Sequence, residues 1–173
     1  MPAARSDLVN AVELAGRAAT LERSLVRDQL PRLLEAGALE GTRADAKLAF
    51  GRFEGRTTVE LSVEGSVVLP CQRCLRPCES PVSETALLMV VADEMEDVPG
   101  GYDPVVGDAE RLSVTDVIEE QLLLGMPLVP LHEDETDCGE TAAADDIVEP
   151  GSAVADTQRP FANLRDLLDK GER

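Results

Sequence analysis

Aromatic residues are scarce: the 173-residue chain has no Trp, one Tyr and three Phe. A core must therefore be built from Leu, Val and Ala, and the base-stacking platforms used by single-stranded nucleic-acid binders are nearly missing. Histidine occurs once, as His132, and there is no G-x-S-x-G, Walker loop or dinucleotide fingerprint. The common hydrolytic and nucleotide-dependent chemistries thus lack their groups, and no catalytic residue is assigned. No run approaches the ~18 apolar residues that span a bilayer. The opening MPAARSDLVN has neither the basic end nor the apolar run of a secretory signal. The expectation is a soluble, cytoplasmic protein without membrane contact, in which cysteines stay reduced and a C-x-x-C pair points to metal or catalysis before a structural disulfide.

Basic charge is short in one half only. Residues 1–77 hold 11 Lys/Arg against 10 Asp/Glu, whereas residues 78–173 hold 5 against 24, so the net charge of -18 belongs to the second half. Such a surface repels phosphate backbones and attracts basic partners; the alternative is an acidic face that only confers solubility. The length allows one core and an appendage.

Periodicity then places the elements. Gly16 to Val26 alternates as a strand, and DQLPRLLEAG reads as a short helix capped by Asp28, with Pro31 in its first turn and Gly37 at its end. Thr42 to Phe53 and Thr57 to Leu69 alternate on either side of Glu54-Gly55, a hairpin with one wet face, and Gly65 marks an expected bulge. Pro81 to Ala92 gives a third strand, followed by acidic loop residues Asp93 to Asp108. The clearest helix is SVTDVIEEQLLLGMP, with Ser113 as cap, Val114, Ile118 and Leu122 as its stripe, and Gly125 and Pro127 as its end. From His132 to Gln158 there are nine acidic residues and no Lys or Arg, a linker composition. Arg159 to Lys170 recovers helical spacing through Phe161, Leu164 and Leu168, candidates for docking on a partner or for covering the chain's own apolar surface. The expected organisation is a core over residues 1–131, an acidic linker over 132–158 and a short amphipathic helix over 159–173. The fold class is α+β: an antiparallel sheet of about four to six strands, helices on one face, and a flexible acidic C-terminal arm.

The segment CQRCLRPCE, Cys71 to Glu79, holds three of the four cysteines between two expected strands. A C-x-x-C knuckle lets two sulfurs face one tetrahedral ion, with the remaining ligands coming from elsewhere. Here they are His132 and Cys138, with Cys78 as a nearby substitute, which makes zinc the candidate cofactor at Cys71, Cys74, His132 and Cys138. A thioredoxin-like redox pair should open a helix in an alternating α/β pattern, which this chain lacks. A third reading leaves the thiols unliganded and makes Arg73 and Arg76 the working surface, where they are also the candidates for direct RNA contact.

L-x-C-x-R-C-L at Leu69 to Leu75, the helix ending in L-x-x-x-P-L-V-P-L-H at Leu123 to His132, Cys138, and R-P-F-A-x-L at Arg159 to Leu164 together resemble the YceD family, in its proteobacterial form. The resemblance covers the chain from about Leu69 onward. It implies a non-enzymatic role in the synthesis, processing or stability of 23S ribosomal RNA, and a four-thiol site in which His132 here replaces a Cys. With the charge distribution, it leads to a basic partner, a ribosomal protein or an rRNA-processing factor, and to contact with 23S rRNA or its precursor that is direct or through that partner. A small zinc-dependent or thiol-redox enzyme is the alternative.

Overall fold

A computed structural model describes residues 7–93 and 95–139. The expected C-terminal helix, with Phe161, Leu164 and Leu168, lies outside the described residues, as does most of the acidic arm. Five strands form the main sheet in the order β2-β3-β4-β5-β6: β2 Thr20–Val26, β3 Arg43–Phe53, β4 Arg56–Pro70, β5 Pro77–Val91 and β6 Asp103–Val106. The pairs from β2 to β5 are antiparallel, and short β6 joins the edge in parallel with β5. A small second ladder pairs β1, Leu8–Val9, with β7, Leu112–Ser113. Among the described residues there are three α-helices: α1 Ala11–Gly16, α2 Pro31–Glu35 and α3 Val114–Gly125.

Alternation decides which sheet face is covered. Ala44, Ala46, Leu48 and Phe50 of β3 and Val59, Leu61, Val63, Val67 and Leu69 of β4 are buried in one cluster with Leu14, Leu33, Ile118 and Leu122 from the helices. The helices therefore share one face, and the other face is wet, carrying Glu22, Asp45, Lys47 and Glu64. Gly65 does not reset this alternation: it pairs with Ala44 on one side and Val82 on the other, in unbroken register. Its reason is proximity, because a Cβ there would lie 2.4 Å from the Arg43 carbonyl oxygen.

The short helix after β2 also differs from the sequence reading. A 3-10 turn at Arg27–Gln29 precedes α2, and Asp28 caps nothing. The start of α2 is tied instead by Glu119 of α3, whose Oε1 accepts the Leu33 N–H at 2.9 Å. Ser113 accepts the Asp116 N–H at 3.3 Å and so caps α3. Gly125 marks a close approach at the end of that helix, since a Cβ would meet Val82 Cγ1 at 2.6 Å.

Candidate metal centre

β4 and β5 are joined by the six residues Cys71 to Arg76, because β5 begins at Pro77, four residues before the sequence reading starts it. The Cys71 N–H donates to the Arg76 carbonyl and the Leu75 N–H to the Cys71 carbonyl, both at 2.8 Å. Leu75 takes the left-handed conformation, φ 61°, to close this turn. Cys71 is thereby held at the sheet end, and the Arg73 N–H points at its sulfur at 3.4 Å.

The second pair of donors arrives from the chain after α3. The Gln72 N–H donates to the Pro130 carbonyl at 2.8 Å, which lays the Pro127–Leu131 stretch beside the knuckle. His132 Nε2 lies 3.1 Å from the Pro77 carbonyl. An N–H donated there leaves the Nδ1 lone pair directed at the sulfurs, the arrangement of a metal-ligating histidine. Asp134 then caps a 3-10 turn, Glu135–Cys138, by accepting the Thr136 N–H at 2.9 Å. That turn delivers Cys138 to the cluster.

The donor atoms of Cys71, Cys74, His132 and Cys138 all lie within 4.8 Å of one another. Cys71 and Cys138 sulfurs are 3.9 Å apart, and His132 Nδ1 is 3.6 Å from Cys74 and 3.4 Å from Cys138. Tetrahedral zinc with Zn–S near 2.3 Å and Zn–N near 2.0 Å needs edges of roughly 3.5–3.8 Å. The edges of 3.9, 3.6 and 3.4 Å are close to these, so the four donors could hold such an ion once the wider pairs draw in. All four cysteines are free thiols. Cys78 is buried behind this group, packed with Cys71 and Cys138, and stands outside the four-donor set.

Electrostatics separates the thiols. Burial opposes ionisation of Cys71, but the N–H groups of Arg73, Cys74 and His132 outweigh it and bring the thiol down to about 5. Burial, followed by the Cys74 and Cys71 sulfurs, pushes Cys138 up to about 11. Burial raises Cys78 as well, with the charge of Cys71 and Cys74 adding to it. Packing several sulfurs together favours a single thiolate until a cation compensates the rest.

Arg73 and Arg76 face the second half of the cluster. Arg73 forms an ion pair with Glu135 at 3.4 Å and donates to the Cys138 sulfur at 3.7 Å, while Arg76 donates to the Asp137 carbonyl. The guanidinium groups thus latch the turn that carries Cys138. Glu135, through its carboxylate, and Asp137, through its backbone carbonyl, play a part that sequence reasoning missed; only the Asp134 cap before the turn was a usable signal.

The fold and site define a small α+β chain whose longest hairpin ends in a Cys3His cluster fit for zinc. The family model for the large ribosomal RNA subunit accumulation protein YceD matches residues 59–168. The chain belongs to the YceD family. It is 29% identical over 147 residues to the large ribosomal RNA subunit accumulation protein YceD of Haemophilus influenzae, spanning 83% of this chain and 84% of that protein. No solved structure matches.

Proposed function

We propose that this protein is a non-enzymatic factor in the accumulation of 23S ribosomal RNA, working in the cytoplasm through a basic protein partner. The family match, which takes in both halves of the cysteine cluster, carries the reading. Charge supports the indirect route, because residues 78–173 hold 24 acids against 5 bases and would be repelled by an RNA backbone. Zinc on Cys71, Cys74, His132 and Cys138 would have a structural role: four protein ligands leave no open position for substrate water. Redox chemistry fits poorly with Cys71, since the thiol that is brought down is also fully buried.

Arg73 and Arg76 would make any direct RNA contact, and Phe161, Leu164 and Leu168, beyond the acidic linker, would dock the partner. Capture of tagged protein from lysate, with and without RNase, tests the main reading. Basic ribosomal proteins or processing factors should survive RNase treatment, and their absence in both arms would sink it. Titration with a precursor 23S fragment addresses the arginines: equal affinity for the Arg73→Ala/Arg76→Ala variant removes them as contacts. Deleting residues 158–173 should abolish capture with little change in melting temperature, whereas a large loss of stability would mean that the helix covers its own domain.

A further inference from the structure

An apolar surface borders the metal centre. Leu128 is 100% exposed, Leu75 76%, Leu124 69%, Val129 59% and Leu131 42%. Gln72 bonds to the Pro130 carbonyl and His132 to that of Pro77, so the stretch after α3 with Leu128, Val129 and Leu131 runs beside the turn carrying Leu75, and Leu124 precedes it in the last turn of α3. Five large apolar side chains on adjoining turns exceed the scatter of single exposed residues on an ordinary surface. Pro127 and Pro130 fix φ on either side of Leu128 and Val129, so these side chains are displayed with little freedom left to lose on binding.

The rim of this surface selects the occupant. Residues 127–139 carry Glu133, Asp134, Glu135 and Asp137 and no Lys or Arg. Of the neighbouring bases, Arg73 is paired with Glu135, while Arg76 bonds the uncharged Asp137 carbonyl and keeps its charge, so acids still outnumber bases along this rim. An apolar centre with an acidic edge complements a segment that presents Leu-type anchors flanked by Lys or Arg.

We infer that the surface formed by Leu75, Leu124, Leu128, Val129 and Leu131 is the docking site for a basic amphipathic segment of a protein partner. The inference rests on the reading of a basic partner above and gives it an address. The anchors enter among Leu75, Leu128 and Val129, and the cationic residues meet Glu133, Asp134 and Asp137. Apolar contact holds the complex, while charge selects which segment approaches.

The test is fluorescence anisotropy with the full chain and three labelled synthetic helical peptides: one with Leu on one face and Lys elsewhere, one with Leu replaced by Ala, and one with Lys replaced by Glu. Saturable binding of the Leu/Lys peptide alone is expected, weakened about tenfold or more by Leu128→Asn/Val129→Asn. Both positions are exposed, so that variant should keep the wild-type melting temperature. Equal binding of the Ala/Lys peptide, or an unchanged affinity in the variant, overturns the site. Concentration-dependent self-association in sedimentation that the same variant abolishes would assign the surface to a second copy and also overturn it. So would binding of the Leu/Lys peptide only after Phe161→Ser/Leu164→Ser, because the surface would then belong to the chain's own C-terminal segment. Lysate capture separates the two levels: basic proteins still retained by Leu128→Asn/Val129→Asn overturn the address alone, and none retained by the wild type overturns the partner reading itself.

Discussion

Replacing Gly65 by alanine should be among the most costly single-methyl additions in this protein. The new Cβ would sit 2.4 Å from the Arg43 carbonyl oxygen and 2.9 Å from Ala44 Cα, both of them backbone atoms of β3. A C···O contact is comfortable near 3.3 Å, so β3 must recede by roughly 1 Å from β4 at the middle of the sheet. Overpacking of this kind costs about 1–3 kcal/mol, and stretching one or two ladder hydrogen bonds adds about 1 kcal/mol each. The lower entropy of an unfolded alanine returns roughly 0.5–1 kcal/mol. The net expectation is a loss of about 2–3 kcal/mol, or roughly 5–10 °C in Tm for a unit of this size. Two other glycines calibrate the effect. At Gly51 the nearest obstacle is the Thr58 hydroxyl at 3.3 Å, and at Gly125 it is side chains rather than backbone, the buried Val82 and the longer Glu84. Gly51→Ala should stay within about 0.5 kcal/mol of wild type, and Gly125→Ala should cost less than half as much as Gly65→Ala. Urea titrations of the three variants, read as midpoints at constant m, measure this directly. A Gly65→Ala protein as stable as wild type would refute the close approach of β3 to β4.

Other expectations concern the cluster and the buried acid. Protein purified without chelator should contain about one zinc per chain; Cys71→Ser or Cys138→Ser should lose it and Cys78→Ser keep it, by elemental analysis. Adding a strong chelator to the wild type should lower Tm, with no such shift in Cys138→Ser. Glu119 is fully buried, with Oε2 lacking a partner. Burial raises its pKa, ahead of the opposing Leu33 and Arg32 N–H groups. The folded state therefore holds the proton more tightly than the unfolded chain, and stability should fall as pH rises from the ordinary carboxylate value through the raised one. Glu119→Gln should flatten that slope in urea midpoints between pH 4 and 8. Glu119→Ala should also flatten the slope, and should cost about 1–3 kcal/mol at low pH, where the wild-type carboxyl is protonated, because the Leu33 N–H is left unpaired; that cost should shrink as pH rises.

The hairpin, the α3 stripe and the knuckle were legible because each depends on residues close in sequence. Val114, Ile118 and Leu122 needed only a 3.6-residue period, and Glu54-Gly55 only the chemistry of a turn. What escaped depends on distant neighbours. Gly65 looked like a bulge because the backbone crowding it belongs to β3. Asp28 had the composition of a cap, but α2 takes its bond from Glu119, 86 residues away. The parallel edge strand β6 is four residues long and lies within a stretch whose acidity reads as loop. α1 is six residues long and is capped by Asn10, whose side chain accepts the Glu13 N–H; its few apolar positions gave no helical period to detect. At the cluster, spacing marks only Cys71 and Cys74; His132 and Cys138 follow as the remaining candidates, with Cys78 as a substitute. Composition counted residues 132–139 as linker, whereas the Asp134 cap, the Glu135 ion pair and the Arg76 bond fold them into the turn that brings Cys138 to Cys71.

The position of the four donors along the chain has a kinetic meaning. Cys71 and Cys138 are 67 residues apart, and everything from β5 through α3 lies between them. A cation bridging the two would close that span into a ring, restricting the unfolded chain by roughly 4 kcal/mol of loop entropy. During synthesis Cys71 and Cys74 emerge first and wait with only half a coordination sphere. The clasp can shut only once Cys138 has been made, after the whole of β5 and α3, so ligation would record that the intervening chain has been synthesised.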